Sequence, residues 1–266
     1  MSVTLSYTSF SAYRSCPEFF RRKYVDRIKP SIPQNNRWFI EGSVIHECLE
    51  KGFAHSRPLD KEYVVSIFDS TFDKVYAEQS TRGVIVLLSI ETKDMIRAKC
   101  KELLNCSIST IQKMGMDQGE FYSELPVGTY KEPFELVKGL YIQGSVDWVR
   151  DSGTSLTVSD FKTSKDMTYV KALQLLIYSM ALEKKLGKPV EKAFYLMFRS
   201  GAQVKIDLSE AERKKAIGML TEANNNIKSG KFEAKPSDKT CKECVFRNMC
   251  KFCSIKFGPQ EISFGS

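Results

Sequence analysis

The sequence predicts a mixed α/β fold, in which a central β-sheet is flanked by helices. In residues 1–115 apolar residues recur every three or four positions, which indicates helices. In residues 119–208 the period changes to two, apart from one helical stretch, and residues 209–266 contain a helix and a cysteine-rich segment. Since no long linker divides these parts, we expect a single domain over residues 1–266.

Six helices follow from periodicity and from capping residues. The two in the second half have the clearest ends: one stops at Gly187 and Pro189, and the other begins at Ser209 as its N-cap and ends at Gly230. The six stretches are SFSAYRSCPEFFRRKYV, RWFIEGSVIHECLEKGF, KEYVVSIFDSTFDKVYAEQ, TKDMIRAKCKELLNCSISTIQKM, YVKALQLLIYSMALEKKLG and SEAERKKAIGMLTEANNNIKSG.

The strands follow from alternation of apolar and polar residues. FYSELPVG, FELVKGLYIQGSVDWVRD and TSLTVSDFKT predict antiparallel strands, and EKAFYLMFRS with AQVKIDL predicts a hairpin. A tight turn at DSGT, centred on Ser152 and Gly153, would place Asp147 opposite Val158. Asp147 and Asp160 would then be diagonal neighbours on one face, about 7–8 Å apart at the backbone.

Asp147, Asp160 and Lys162 together suit phosphodiester hydrolysis. Two carboxylates at this separation can hold one hard cation such as Mg²⁺ or Mn²⁺, which polarises a phosphate and activates water. A lysine beside them can orient the water and balance negative charge. The alternative is a solvated Asp-x-Lys ion pair of little energetic weight.

Charge and composition point to a polyanionic partner. The chain carries a formal charge of +8, and residues 162–256 contain 20 basic against 10 acidic residues. This excess favours nucleic acid, although a basic surface can also serve solubility alone. The N-terminus resembles no secretory signal and no apolar stretch could cross a bilayer, so we expect a cytoplasmic protein without a membrane partner.

The eight cysteines indicate metal binding rather than a disulfide framework, because a reducing compartment keeps thiols free. Four cluster in CKECVFRNMCKFC. The others on helices, Cys48, Cys100 and Cys106, are expected in the core.

The motifs GSVIHECLE, GSVDWV, SDFKT and QLLIY, in this order, resemble the PD-(D/E)XK nuclease superfamily. The resemblance is closest to the RecB-like exonuclease branch, which includes the iron-sulfur nucleases of CRISPR adaptation and the nuclease domain of the AddB helicase subunit. It implies a restriction-endonuclease-like core and a metal-dependent DNA exonuclease that processes ends in recombination, repair, phage DNA metabolism or CRISPR adaptation.

The resemblance implies roles for individual residues. His46, Asp147 and Asp160 would bind Mg²⁺ or Mn²⁺, Lys162 would be the catalytic lysine, and Glu124 matches an acid on the first strand of some members.

Two further residues, Gln174 and Tyr178, match the helix motif that contacts DNA or supports the site. Partners would be single-stranded or free-ended DNA, with a second copy, a helicase or CRISPR adaptation proteins. Aromatic residues near KAFYLMFRS or in the first helix could stack on unpaired bases.

The cysteine spacing leaves two metal sites open. The branch's pattern implies a 4Fe-4S cluster on Cys16, Cys241, Cys244 and Cys250, which would join the two ends of the chain. The alternative is a zinc ion on Cys241, Cys244, Cys250 and Cys253.

Two other functions stay open beside the nuclease. One is a nuclease-inactive, DNA-binding iron-sulfur subunit of a helicase or CRISPR complex, and the other is a structural zinc-binding adaptor. Retention of the His, both Asp and the Lys argues against the first, and metal analysis would separate the second, because iron with inorganic sulfide excludes a zinc-only site.

Overall fold

The computed structural model describes residues 3–29, 37–82, 91–164, 171–242 and 244–253. The last 13 residues of the predicted cysteine-rich segment, 254–266, lie outside these ranges.

The described residues form eight strands, two short non-α helical turns and nine α-helices. The strands are β1 (Thr4–Leu5), β2 (Phe121–Gly128), β3 (Phe134–Val137), β4 (Leu140–Ile142), β5 (Gly144–Asp151), β6 (Leu156–Lys162), β7 (Val190–Met197) and β8 (Ala202–Lys205). The α-helices are α1 (Tyr7–Ser15), α2 (Pro17–Phe20), α3 (Arg37–His55), α4 (Lys61–Ser66), α5 (Phe68–Arg82), α6 (Lys93–Lys113), α7 (Ala172–Leu186), α8 (Glu210–Lys228) and α9 (Asp238–Lys242). A π-helical turn (Arg21–Val25) follows α2, and a 3-10 turn (Arg247–Met249) follows α9.

The main sheet has five strands in the order β2-β5-β6-β7-β8. The β6–β7 pair is parallel and the other pairs are antiparallel, so the sheet is mixed. A parallel pair needs a long crossover, and α7 lies within the connection between β6 and β7. A second sheet, β1-β4-β3, has three strands. This arrangement confirms the mixed α/β fold with a sheet flanked by helices.

Helices cover both faces of the main sheet because its central strands are apolar on both sides. On one face, Val149, Val158 and Tyr195 share a buried cluster with Phe10 of α1, Leu182 of α7 and Leu220 of α8. On the other, Trp148, Phe161 and Leu196 share a cluster with Ile45 of α3, Phe72 of α5 and Leu104 of α6. The aromatic residues of KAFYLMFRS lie inside these cores, so the expectation that they stack on bases is wrong.

Several predicted helix limits are wrong. The first predicted helix is broken at Cys16, whose backbone is extended (φ −159°, ψ 106°) because Pro17 follows it. The third is split at Ile67, in a stretch where Val64 and Val65 lower helix propensity. Cys48 and Cys100 are buried as expected, whereas Cys106 is exposed.

The β5–β6 connection is longer than the predicted turn. It spans Ser152 to Ser155, whose N–H and carbonyl are joined at 3.0 Å, and Asp151 pairs with Leu156 rather than with Thr154. Gly153 supports this turn with φ +93°.

The register therefore differs from the prediction by two residues. Because an even shift leaves every side chain on its own face, Asp147 and Asp160 still share a face. Trp148 pairs with Ser159, so Asp147 lies directly across from Asp160 rather than diagonally.

Candidate functional site

Three carboxylates form a row across β2, β5 and β6. Ser123 pairs with Trp148 and Leu125 with Val146, which places Glu124 across from Asp147. Asp147 in turn lies across from Asp160. Asp147 Oδ2 accepts a hydrogen bond from the backbone N–H of Phe161 at 2.5 Å, so its carboxylate is fixed by the neighbouring strand.

The backbone at Glu124 is strained. Its φ is +48°, in the left-handed region that residues with a side chain rarely occupy. Such conformations cost about 1–3 kcal/mol and concentrate at functional sites. This left-handed residue lies beside the other acids.

His46 completes the row from the helical side. It lies on α3, with Nδ1 3.7 Å from Asp147 Oδ1 and 3.8 Å from Glu124 Oε1. Ligand atoms of His46, Glu124 and Asp147 lie within 4.8 Å of one another, so these three could hold one metal ion. Asp160 lies next to this group without being part of it.

The electrostatics of the group fit a cation. Burial and the Asp160 carboxylate raise the pKa of Asp147 to about 7. Burial alone would lower the pKa of His46, but the nearby carboxylates of Asp147 and Glu124 raise it to about 9. His46 in turn lowers the pKa of Glu124. Oxygen and imidazole donors suit Mn²⁺, and carboxylates suit Mg²⁺.

Lys162 lies at the end of β6, beside the acids. Its Nζ forms an ion pair with Asp160 Oδ2. It also lies 5.0 Å from the ring centroid of Tyr195, which pairs with Asp160 on the parallel strand β7. Sequence reasoning missed Tyr195 because it predicted β7 as a strand without its pairing to β6.

The two predicted residues of α7 reach the site by different contacts. Gln174 Nε2 donates to Asp160 Oδ1 at 3.4 Å. Tyr178 is buried, and its hydroxyl packs over Gly144, where an added Cβ would lie 2.3 Å from that oxygen. Burial raises the pKa of Tyr178 to about 12. Tyr178 thus connects α7 to β5.

A buried ion pair, missed by sequence reasoning, connects α3 to the end of β6. Arg199 Nη2 donates to Glu41 Oε2 at 2.5 Å, and Arg199 Nε donates to the Thr163 carbonyl at 2.6 Å. Glu41 is only 2% exposed. Glu41 lies five residues before His46, and Thr163 follows Lys162, so the pair fixes these two elements relative to each other. The position of Glu41 within a helical pattern did not indicate that it would be buried or paired with Arg199.

We expect Arg199→Met to lower the free energy of unfolding by about 3–5 kcal/mol, because it removes a partner of a buried carboxylate. The Glu41→Gln/Arg199→Met double variant should lose less than the sum of the single variants. Urea denaturation measures both. Lys215→Met, which removes an exposed pair with Glu212, should cost under about 1 kcal/mol. A loss at Arg199 as small as that at Lys215 would contradict the prediction.

His46 should make the stability of the cation-free protein depend on pH. Its folded pKa of about 9 exceeds the ordinary 6.5, so its contribution is complete below pH 6.5 and is lost as pH rises through 9. The difference in unfolding free energy between wild type and His46→Gln, in EDTA, should shrink from pH 6.5 to 9.5 by up to ~3 kcal/mol. A difference that stays constant over this range would show that His46 is not the titrating group.

The cysteines of the two chain ends meet around one small cavity of about 20 Å³. Its walls include Cys16, Cys241, Cys244, Cys250 and Cys253. Burial raises the pKa of the Cys244 thiol, and the sulfurs of Cys250, Cys16 and Cys241 raise it further.

These three neighbours of Cys244 are the other cysteines predicted for the cluster. Within the part of the chain that the structure describes, no three sulfurs lie within 4.8 Å of one another. A single zinc ion bonds sulfur at about 2.3 Å, so a zinc site would need its sulfur ligands closer together than this.

Comparisons with known proteins agree with the mixed α/β fold. A model of the PD-(D/E)XK nuclease superfamily matches residues 4–251. The CRISPR-associated exonuclease Cas4 of Francisella tularensis subsp. novicida (strain U112) is 25% identical over 111 residues, 41% of this chain and 56% of the relative, so the match spans about half of that protein. A solved structure titled "Crystal structure of SSO0001" aligns over 80% of this chain and 95% of its own, with 16% identity and a TM-score of 0.36.

Among the described helices, none is both long and apolar enough to cross a membrane.

Proposed function

Because the chain belongs to the PD-(D/E)XK nuclease superfamily, we propose that it is a metal-dependent deoxyribonuclease that shortens DNA from its ends. The observation that carries this proposal is the row of Glu124, Asp147 and Asp160, with His46 at one end and Lys162 at the other. A nucleic-acid-binding module without catalysis would need no such set of acids at this spacing.

His46, Glu124, Asp147 and Asp160 would hold Mg²⁺ or Mn²⁺. When bound, the cation would polarise the phosphate and make a water more acidic. Lys162 would orient that water and balance the negative charge that develops on the phosphate oxygens. Gln174 keeps Asp160 in place through Oδ1, which leaves Oδ2 directed at Lys162.

Action from DNA ends is supported by the relative that is named an exonuclease, which shares 25% identity with this chain over 111 residues. The surplus of basic residues after residue 161 supports a nucleic-acid substrate. We place the activity in the RecB-like branch, in DNA repair, recombination, phage DNA metabolism or CRISPR adaptation within the cytoplasm.

We further propose an iron-sulfur cluster on Cys16, Cys241, Cys244 and Cys250. The four thiols are brought to one cavity from opposite ends of the sequence, and aromatic packing of Phe19 on Phe246 at 5.5 Å closes it. A cluster there would join the two ends covalently. The Cys16 side chain is positioned by the extended backbone before Pro17.

The test is a cleavage assay with anaerobically purified protein. End-labelled single-stranded DNA, open duplex and covalently closed duplex are incubated with Mg²⁺, Mn²⁺ or EDTA. We expect stepwise shortening of the substrates with free ends, in the presence of either cation, and no cleavage of closed circles. Binding of all substrates without any cleavage would overturn the proposal and favour the nuclease-inactive subunit.

A further inference from the structure

One exposed face of α1 forms a pocket that none of the roles above uses. It has a volume of about 220 Å³ and is lined by Tyr7, Phe10, Ser11, Arg14 and Ser15. Residues spaced by three, four and seven positions lie on one side of a helix, so these side chains face one common space. Phe10 is fully buried beneath this face, so the groups that the pocket offers a ligand are the Tyr7 ring, two hydroxyl groups and one cation.

Arg14 supplies the cation of this pocket. Its side chain is exposed, and among the described residues no acidic group lies within ion-pair distance of it. Its guanidinium lies 5.8 Å from the ring centroid of Phe10. Arg199, by contrast, binds the Glu41 carboxylate. Arg14 thus has its charge available for a ligand.

The Tyr7 end of the pocket lies near the start of β5, the strand that carries Asp147. The Leu5 carbonyl, two residues before Tyr7, accepts a hydrogen bond from the Gln143 N–H at 3.0 Å. Gln143 directly precedes β5 and lies four residues before Asp147. Arg14 lies seven residues further along α1, about 10 Å away at 1.5 Å per residue. A strand that leaves the acids along α1 would therefore pass Tyr7 first and Arg14 second.

We propose that this pocket binds the nucleotide next to the cleaved bond, with Arg14 on a backbone phosphate. Ser11 donates to the same phosphate or its sugar, and Tyr7 packs against the sugar or base. Arginine and serine side chains commonly bind phosphate oxygens, and aromatic rings stack on unpaired bases without sequence preference. The pocket rests on the proposed nuclease function, since it takes its position from the catalytic row.

The first experiment measures affinity for single-stranded DNA as a function of salt, in Asp160→Asn protein with Ca²⁺. Arg14→Ala should weaken binding about 5- to 20-fold and reduce the slope of log K against log salt by about 0.7, the value for one phosphate contact. Arg14→Lys should recover most of the slope. Lys101→Ala, which removes an equally exposed charge from α6, should change affinity less than about 2-fold.

The second experiment locates the phosphate. Single neutral methylphosphonates are placed in turn at positions flanking the cleavage point. Protein that retains Arg14 should bind more weakly to DNA with a methylphosphonate at one of these positions. Arg14→Ala protein should bind this DNA and unmodified DNA equally well, because the methylphosphonate and the substitution remove the same contact. Equal salt slopes for Arg14→Ala and Lys101→Ala, or no position at which the two proteins differ, would overturn the pocket.

The outcomes separate this inference from the proposed function. If wild type degrades DNA and Arg14→Ala binds like Lys101→Ala, the nuclease stands and the pocket is wrong. If wild type degrades nothing but Arg14 still affects one phosphate, the pocket stands as a DNA site and the nuclease is wrong.

Discussion

Replacement of Asp160 by Asn is expected to reduce cation-dependent DNA cleavage by at least ~10³-fold, while DNA affinity changes less than about 3-fold. Asn keeps the shape and the hydrogen bond from Gln174 but removes the charge that a divalent cation needs. A rate reduction of this size corresponds to the loss of several kcal/mol of transition-state stabilisation, because about 1.36 kcal/mol changes the rate tenfold.

Lys162→Met should reduce the same rate by about 10²- to 10³-fold, because it removes a positive charge beside the reacting phosphate. Initial rates on end-labelled DNA measure both variants, and anisotropy with Ca²⁺ measures binding.

The matched control is Asp151→Asn. Asp151 is an acid on β5, like Asp147, but it pairs with Lys188 at the other end of the strand. Its replacement should leave the rate within about 2-fold of wild type. If Asp160→Asn and Lys162→Met cleave as fast as Asp151→Asn, the row of acids is not the catalytic centre.

Cys16→Ser and Cys244→Ser should each lose the bound iron and sulfide and the visible absorption of a cluster. Both variants should also lower the free energy of unfolding by about 5 kcal/mol. The cluster would link Cys16 to Cys241 and so close a loop of more than 200 residues, and each variant would remove this link. Iron and sulfide analysis, absorption spectra and urea denaturation of anaerobic protein measure these losses.

Two other cysteines make the test discriminating. Cys253→Ser should retain iron, because the cluster set excludes it, whereas a zinc site on the four C-terminal cysteines would lose its metal. Cys106→Ser removes an exposed thiol of α6 and should change nothing. If the wild type contains zinc without iron, and if that zinc is lost in Cys253→Ser but kept in Cys16→Ser, the cysteines form a zinc site and the cluster proposal is wrong.

The sequence predicted much of the local structure because local signals are strong there. The limits of β2 match FYSELPVG, the side chain of Ser209 caps α8, and Gly187 ends α7 in the left-handed conformation. The face on which each side chain of β5 and β6 lies was predicted correctly even though the predicted turn was wrong, since an even shift of register leaves every side chain on the same face.

Contacts between distant segments were harder to predict. The parallel pairing of β7 with β6 depends on the crossover through α7, so nothing local placed Tyr195 under Lys162. The Glu41–Arg199 pair joins residues 158 apart. Glu124 was suggested only by resemblance, because its left-handed backbone breaks the alternation from which a strand is read.

The hydrogen bond from the Phe161 N–H to Asp147 gives the protein an internal probe. The Phe161 amide donates directly to the Asp147 carboxylate, with 2.5 Å between the nitrogen and oxygen atoms, so its environment changes with the charge of that carboxylate. The nitrogen and proton chemical shifts of this amide should therefore change when Asp147 is protonated and when Mg²⁺ is added, and no label on the site is needed. A single backbone resonance can thus report occupancy of the site in solution, without cleavage being measured.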